Sequence, residues 1–364
     1  MKMRLIDEPG TITARRVAEK PVNIFRASRP RTERAAAPAR TRRAQTMRAA
    51  VLSAPEKIGI REVPVPKPGA HEVLVELEGC GVCGSNLPAW QGRPWFNYPL
   101  APGELGHEGW GTIDAIGENV TSFEVGDRVA VLSYRAYAEY DIAPASAVVR
   151  LPKDLAGQPF PGEALGCALN VFRRSDVQPG QTVAVVGIGF LGAVLTSLCV
   201  GAGAKVIAIS RRDSALELAG RLGATESIPL HNNGEVIERV RMLTSRVGCD
   251  RVIEAVGLQS PLDLAGELTR VRGRLIIAGY HQDGPRAVNM QLWNWRGLDV
   301  INAHEREPAI YVEGMKSAVA AVKQHKLNPI PLYTHRFPLE RLGEALNAMA
   351  ERPTNFLKAL VDLS

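Results

Sequence analysis

A glycine-rich turn between an apolar strand and an apolar helix constrains the fold more than any other feature of this sequence. The strand-like stretch Thr182–Val186 runs directly into Gly187, Ile188, Gly189, Phe190, Leu191 and Gly192, and the helix-like Ala193–Val200 follows. The three glycines permit, in order, a tight turn, backbone approach to a pyrophosphate, and close packing of helix on strand. The helix start then offers free N–H groups to phosphates. The spacing predicts that these six residues bind a dinucleotide cofactor.

The sequence around this turn alternates between strands and helices. Continuous apolar stretches at Thr182–Val186, Lys205–Ile209, Asp250–Val256 and Arg274–Ala278 are separated by helix-patterned segments such as Ser214–Leu222. Such alternation requires crossover connections and produces a parallel sheet covered on both faces. We therefore predict an α/β fold with a doubly wound, Rossmann-type parallel sheet.

The chain before and after this region has a different pattern. Short apolar stretches broken by Pro and Gly (Glu72–Leu77, Gly109–Ile116, Arg128–Leu132) indicate a β-rich domain that begins near Met47. After residue 310, two helical segments, Val312–His325 and Leu339–Ala350, precede the strand-like Phe356–Val361. We predict an extension at 1–46, a β-rich domain at 47–170, a Rossmann domain at 171–310, and a segment at 311–364 that packs back on the β-rich domain.

The residues that end the second strand of the parallel sheet bear on the choice of cofactor. An NAD site normally has an acidic side chain there for the ribose 2′-hydroxyl, whereas this chain has Ser210, Arg211 and Arg212. A hydroxyl and two guanidinium groups suit a 2′-phosphate, because arginine binds phosphate oxygens through two parallel charge-assisted bonds. The alternative is a solvated pair, with Asp213 neutralising one arginine. We expect NADP(H), with NAD as the alternative.

The basic charge of the chain is concentrated at one end. The net charge is +6, but residues 1–46 carry twelve Lys and Arg against four acidic residues, and residues 47–364 carry 32 against 34. The first segment reads as a disordered extension or a start codon assigned too early, with an organelle-targeting segment as the alternative. The sequence has no apolar run of the ~18 residues needed to span a membrane, and its five Cys are unevenly spaced. We expect a cytoplasmic protein.

A pair of cysteines and a later His-Glu pair indicate a metal site. Cys80 and Cys83 have no second Cys pair at the spacing of a structural zinc site. The motifs that follow are Gly81-Val82-Cys83-Gly84-Ser85, Gly106-His107-Glu108-Gly109 and Gly126-Asp127-Arg128-Val129. In this order, together with the glycine-rich turn, they make residues 47–364 resemble the zinc-dependent medium-chain alcohol and polyol dehydrogenases.

The resemblance implies a GroES-like catalytic domain and specific zinc ligands. Cys83 and His107 match two ligand positions and Glu163 matches the third, while in the polyol branch Glu108 can coordinate instead; the choice between the two acids stays open. A thiolate, an imidazole and a carboxylate leave a fourth tetrahedral position for water or substrate. The resemblance also implies a homodimer or homotetramer, and no membrane partner is expected.

Three departures from the family pattern affect these expectations. The family's four-Cys lobe is missing, so we expect one catalytic zinc and no structural zinc. Asn86 stands where the family usually has the Asp that orients the ligand His, and we expect its amide oxygen to accept the same bond. Pro88 replaces a proton-relay His, which leaves Ser85 as the first relay hydroxyl, with His304 or His281 as candidates for the onward step.

These features predict reversible hydride transfer between a secondary alcohol or polyol, or the corresponding ketone or aldehyde, and NADP(H). One alternative is a zinc-free NADPH enone or quinone reductase, a branch that lacks the Cys83, His107 and Glu163 set. Another is a nucleic-acid-binding protein that uses the basic residues 1–46, which the density of matched motifs makes a weaker reading.

Overall fold

The computed structural model describes residues 45–363 of the chain. Within that range fifteen strands are formed: β1 (Thr46–Ala54), β2 (Lys57–Pro64), β3 (Glu72–Gly81), β4 (Gly109–Ile116), β5 (Arg128–Val131), β6 (Tyr140–Pro144), β7 (Val148–Arg150), β8 (Thr182–Val186), β9 (Lys205–Ser210), β10 (Glu226–Pro229), β11 (Cys249–Glu254), β12 (Thr269–Ile277), β13 (Asp299–Asn302), β14 (Tyr333–Pro338) and β15 (Lys358–Asp362). The α-helices of the same range are α1 (Leu87–Trp90), α2 (Gly162–Ser175), α3 (Phe190–Gly201), α4 (Asp213–Arg221), α5 (Asn233–Leu243), α6 (Gln259–Leu268), α7 (Met290–Arg296), α8 (Pro308–Lys323) and α9 (Leu342–Glu351).

Strands β8 to β13 form a parallel sheet in the order β10-β9-β8-β11-β12-β13. The strand order reverses between β8 and β11, and the carboxyl end of β8 at this switch point leads into the glycine-rich turn. Apolar side chains fill the strands because helices cover both faces; Val183, Val185 and Ile253 are completely buried. This is the doubly wound Rossmann order, which confirms the predicted α/β fold class.

A second sheet of the described chain contains β14, β15, β3, β4, β5 and β7 in that order, with β6 also paired to β3. Its strands come from both ends of the sequence, since β15 lies between β14 and β3 and pairs Val361 with Cys80. The last strand-like segment was expected at Phe356–Val361 and is observed at Lys358–Asp362. Strand β14 had not been anticipated, because its polar residues alternate with half-buried ones over only six positions.

A β-hairpin and a pair of crossing helices pack against this sheet. The hairpin β1-β2 forms a separate two-stranded sheet, and an isolated bridge joins its Ala49 to Ala138, shortly before β6. Helices α2 and α8 cross so closely that a Cβ on Gly314 would lie 2.6 Å from the Gly166 carbonyl oxygen. The crossing fixes the start of α2 near the second sheet, where Glu163 is placed.

One hydrophobic core connects the two sheets. It contains Trp110 and Ala130 from the second sheet together with Val183 and Val185 from the parallel sheet. The described residues, 45–363, accordingly belong to one compact unit. In the part of the chain that is described, no helix combines the length and apolarity required for crossing a membrane. The domain boundaries at 170 and 310 stay predictions.

Candidate active site

The candidate metal ligands meet where two antiparallel strands share an end. Cys83 follows the end of β3, and His107 and Glu108 immediately precede β4. The strands are paired in register, with Cys80 opposite Gly109. Because the end of one antiparallel strand lies beside the start of its neighbour, residues some 25 positions apart in the sequence come together at one edge of the sheet.

Three donor atoms converge at this edge. The sulfur of Cys83, a ring nitrogen of His107 and a carboxylate oxygen of Glu108 all lie within 4.8 Å of one another. A sulfur, an imidazole nitrogen and a carboxylate oxygen are the donor types that zinc accepts in proteins. Space for Glu108 depends on Gly81, since a Cβ at that position would lie 1.8 Å from Glu108 Oε2. The residues present therefore fit a zinc ion.

A main-chain carbonyl orients the His107 ring. The Leu105 carbonyl oxygen accepts from His107 Nδ1 at 2.8 Å, so Nδ1 carries a proton and Nε2 is the nitrogen available to a metal. Burial disfavours the charged ring, but the hydrogen bond and negative charge of Cys83 outweigh it and raise the pKa of His107 to about 10. Asn86 does not accept the His107 bond, so that expectation was wrong; its amide donates instead to the same Leu105 oxygen, at 2.9 Å.

A buried lysine that sequence reasoning missed stands beside the candidate ligands. Lys358 Nζ, on β15, donates to Glu108 Oε1 at 2.6 Å and to the Val82 carbonyl at 3.0 Å, and lies 2.5 Å from Glu108 Oε2. The two side chains are only 4% and 1% exposed. Although burial disfavours its charge, the neighbouring carboxylate of Glu108 raises the pKa of Lys358. Its partner lies 250 positions away in the sequence, so no local motif marks it.

Glu163 lies outside the group of three donors but close to it. It occupies the first turn of α2, where it accepts from the Cys167 thiol one helical turn later, at 3.1 Å. Burial raises the pKa of Glu163, while the nearby charge of His107 opposes that shift. Burial and the Glu163 carboxylate raise the pKa of Cys167 well above its usual value, as burial does for Cys80. Both thiols are therefore held neutral.

The glycine-rich turn has the geometry that its sequence predicts. Gly187 adopts φ 98°, in the left-handed region, and Gly189 is the N-cap residue of α3. A Cβ on Gly192 would lie 1.9 Å from the Gly187 carbonyl oxygen, whereas a Cβ on Gly189 would meet nothing within 4 Å. The helix start at Gly189 thus faces open space suited to a pyrophosphate.

The other residues of the turn connect it to the rest of the molecule. Ile188 is buried and Leu191 packs against the core. The ring of Phe190 stacks on Tyr333, with centroids 6.1 Å apart, and the Lys358 ammonium lies 5.0 Å from its centroid. The cofactor turn and the candidate metal site are therefore linked through Lys358 and Phe190.

The two arginines after β9 have different surroundings. Arg211 is exposed, but the Arg212 guanidinium donates to the Phe356 carbonyl at 2.6 Å and to the Ile188 carbonyl at 3.0 Å. Ser210 is buried and accepts from the Arg212 backbone N–H at 3.2 Å. Both arginines were expected to bind a 2′-phosphate, yet the guanidinium group of Arg212 binds main-chain oxygens. Among the described contacts, Asp213 forms no ion pair with either arginine.

The candidate relay residues are only partly connected. Ser85 Oγ lies 3.5 Å from His107 Nε2, next to the metal-facing side of the ring. Both nitrogens of His281 are occupied, by Glu254 at 3.0 Å and Arg286 at 3.0 Å. His304 stacks on Tyr280 at 5.2 Å, and burial lowers the pKa of its ring. Within residues 45–363, no side-chain hydrogen bond joins Ser85 to either histidine.

Comparisons with known proteins agree with this architecture. A family model described as an alcohol dehydrogenase GroES-like domain matches residues 69–153, and one described as a zinc-binding dehydrogenase matches residues 191–317, together more than half of the chain.

Individual relatives cover most of the chain. Sorbitol dehydrogenase of Gallus gallus is 29% identical over 78% of this chain and 87% of its own length. The Bacillus subtilis enzyme of the same name is 27% identical over 87% and 97%. The solved alcohol dehydrogenase of Thermus sp. ATN1 superposes with a TM-score of 0.73 at 26% identity, over 87% of this chain and 99% of that one.

The matched domains occur in the order of the β-rich and parallel sheets, and the predicted ligand motif falls inside the first of them. The chain therefore belongs to the zinc-type medium-chain alcohol and polyol dehydrogenases, oxidoreductases that act on CH–OH groups.

Proposed function

We propose that this protein oxidises a secondary alcohol or polyol, and reduces the corresponding carbonyl compound, with one catalytic zinc ion and NADP(H). The observation that carries the proposal is the convergence of Cys83, His107 and Glu108 donor atoms within 4.8 Å. The two sorbitol dehydrogenases among the relatives support a polyol substrate.

The site residues have separate roles in metal binding, proton transfer and charge compensation. Cys83, His107 and one carboxylate hold the metal; Glu108 is favoured because its oxygen belongs to the converging group, with Glu163 directly behind it. When bound, zinc would supply Lewis acidity toward the substrate hydroxyl, and the nicotinamide cofactor would supply the hydride-transfer chemistry. Ser85 Oγ, which lies 3.5 Å from the ligand nitrogen of His107, would accept a hydrogen bond from the substrate hydroxyl and relay the proton by releasing its own proton to solvent. Lys358 offsets the buried negative charge of the ligand set.

The preference for NADP(H) rests on Arg211 together with the absence of an acidic side chain at the end of β9. Arg211 is exposed and binds a 2′-phosphate, whereas Arg212 positions the glycine-rich turn through the Ile188 carbonyl. Comparing kcat/KM with NADP⁺ and NAD⁺ tests this assignment. A clear preference for NAD⁺ would overturn it and leave the zinc chemistry standing.

A homodimer or homotetramer is part of the proposal. Trp295 is 87% exposed and lies just before β13, the edge strand of the parallel sheet. An exposed large apolar side chain and an open strand edge are each typical of a surface that another subunit covers. Light scattering of the purified protein tests it, and a monomer at all concentrations would contradict it.

The decisive experiment combines metal analysis with a substrate screen. We expect one zinc per chain, loss of turnover with a chelator, and recovery with zinc, on a panel of secondary alcohols and polyols. Glu108→Gln should weaken zinc binding more than Glu163→Gln. Activity that persists without zinc would instead favour the zinc-free reductase.

A further inference from the structure

Two side chains share one main-chain acceptor beside the candidate metal site. The Leu105 carbonyl oxygen accepts hydrogen bonds from His107 Nδ1 at 2.8 Å and from Asn86 Nδ2 at 2.9 Å. Leu105 itself has φ 81°, in the left-handed region that a leucine rarely occupies. Such a conformation costs about 1–3 kcal/mol and persists only where the surroundings enforce it.

The orientation of the Asn86 amide is set from its other side. Its Oδ1 accepts from the Tyr137 hydroxyl at 2.8 Å and from the Cys83 backbone N–H at 3.2 Å. Both Asn86 and Tyr137 are 1% exposed, so water does not compete for these bonds. With its oxygen held by two donors, the amide has only its NH₂ group to present to Leu105.

This arrangement requires an amide at position 86. A carboxylate there has no proton to donate, and its second oxygen would stand about 2.9 Å from the Leu105 oxygen, where two acceptors repel each other. The contacts therefore form a continuous chain of hydrogen bonds, from the Tyr137 hydroxyl through the Asn86 amide to the Leu105 carbonyl, which accepts from His107.

We propose that Asn86 and Tyr137 are positioning residues that act through the Leu105 carbonyl to hold His107 with Nε2 toward the Cys83 sulfur and the Glu108 carboxylate. The proposal rests on the zinc site of the proposed function. The group that orients the His107 ring is the main-chain oxygen of Leu105. Asn86 and Tyr137 hold that oxygen in place and do not bond the ring themselves.

The first test replaces Asn86 by the acid of the same shape. In metal-free Asn86→Asp protein, the zinc dissociation constant measured by competition with a chromogenic chelator should rise about 10- to 100-fold, the range for lost outer-sphere partners. If position 86 orients the ring directly, the carboxylate should bind it better and tighten zinc. Equal or tighter zinc binding by this variant would therefore overturn the inference.

A second variant keeps the test valid if the buried carboxylate prevents folding. Tyr137→Phe removes only the hydroxyl, and we expect about a 10-fold rise in the zinc dissociation constant. Tyr140→Phe is the matched control, because the Tyr140 hydroxyl bonds Glu76 at 3.2 Å on an exposed part of the sheet. The control should bind zinc as the wild type does.

Two further readouts separate positioning from general stability. In cobalt-substituted protein, the visible bands report the ligand geometry, and both variants should shift them while Tyr140→Phe does not. A purely structural role would lower the Tm of the metal-free protein and leave the cobalt spectrum and zinc affinity unchanged, which would refute the proposal. Wild-type protein that binds no zinc would overturn the proposed function and this inference together, whereas zinc-binding wild type with unaffected variants overturns the inference alone.

Discussion

At the residue scale, the buried pair of Lys358 and Glu108 makes the sharpest energetic prediction. Removing one partner of a buried ion pair leaves an uncompensated charge and costs about 3–5 kcal/mol. Lys358→Met should therefore lower the free energy of unfolding of the metal-free protein by about that amount, measured by urea denaturation. The double variant with Glu108→Gln should regain most of the loss, because neither side chain of the pair is then charged.

The matched control for this prediction is a lysine pair on the surface. Lys316 lies 2.7 Å from Glu313 on α8, with both side chains more than half exposed. Lys316→Met should change the free energy of unfolding by less than about 1 kcal/mol. Equal effects of the two lysine substitutions would contradict the buried character of the Lys358 pair.

The same scale shows what residue patterns can and cannot predict about the site. Cys83, His107 and Glu108 were identifiable because they flank paired strands and sit in short motifs. Lys358 was not, since only the pairing of β15 with β3 brings it to Glu108. The use of the Leu105 carbonyl was hidden too, because a main-chain acceptor leaves no mark on residue type. The bonds of Arg212 to main-chain carbonyls could not be predicted either, because these partners belong to distant loops.

At the element scale, the glycine-rich turn predicts contrasting results at two glycines of one helix. Gly192→Ala should raise the dissociation constant of the cofactor at least about 10-fold, because the Cβ would meet the Gly187 oxygen at 1.9 Å and open the turn. Gly201→Ala, at the end of the same α3, meets nothing within 4 Å. It should leave cofactor binding unchanged and stabilise the protein by up to about 1 kcal/mol. Fluorescence titration with NADPH and thermal unfolding measure both effects, and an unaffected cofactor affinity in Gly192→Ala would contradict this account.

The start of β11 predicts a pH-dependent contribution to stability. The Asp250 carboxylate accepts from the Thr182 backbone N–H at 2.8 Å and from Arg270 Nε at 2.7 Å, which connects three strands of the parallel sheet. Although burial favours the neutral acid, these bonds lower the pKa of Asp250. Because the folded pKa lies below the unfolded value of about 3.9, the stabilisation is present above that pH and is lost as pH falls through the folded pKa.

Asp250→Asn should therefore cost about 1–2 kcal/mol at pH 7, and the difference from wild type should shrink below about pH 4. Urea denaturation across this pH range measures it. Asp299→Asn is the control, because that carboxylate is 66% exposed and lies 3.6 Å from Arg274. A cost that persists unchanged at pH 3 would show that the ionised carboxylate is not responsible.

Several strands and helices could be predicted from the periodicity of apolar residues. Strands β4 and β8 match their predicted ranges, and α4 is displaced by one residue from the predicted Ser214–Leu222. These segments are continuous apolar runs or amphipathic helices, in which local pattern and tertiary burial agree. Pairing between distant segments depends on contacts that no local window contains. The short, mostly polar β14 was missed, whereas β15 pairs with β3, in the domain on which residues 311–364 were predicted to pack.

At the scale of the whole molecule, the excess positive charge and the candidate site residues lie in different parts of the chain. The candidate metal and cofactor sites are assembled from residues 45–363, whose charge is close to balanced, while the basic excess lies in residues 1–46. Deleting residues 2–44 should change kcat/KM by less than about twofold, a barrier difference below about 0.5 kcal/mol. It should also abolish any salt-dependent retention on DNA. Loss of turnover in the deletion would show that the segment contributes to the active site.

The position of β15 also has a consequence for biosynthesis. Strands β3 and β4, which carry the candidate ligands, leave the ribosome early, but their sheet stays incomplete until β15 is made, 56 residues after the end of β13. The parallel sheet, whose strands are contiguous in the chain, can fold while translation continues. Until Lys358 emerges, Glu108 lacks the ammonium group that it contacts in the folded chain, and the edge of β3 that pairs with β15 stays open to water. The surroundings of the candidate ligands are therefore completed late in the synthesis of the chain, after all strands of the parallel sheet have been made.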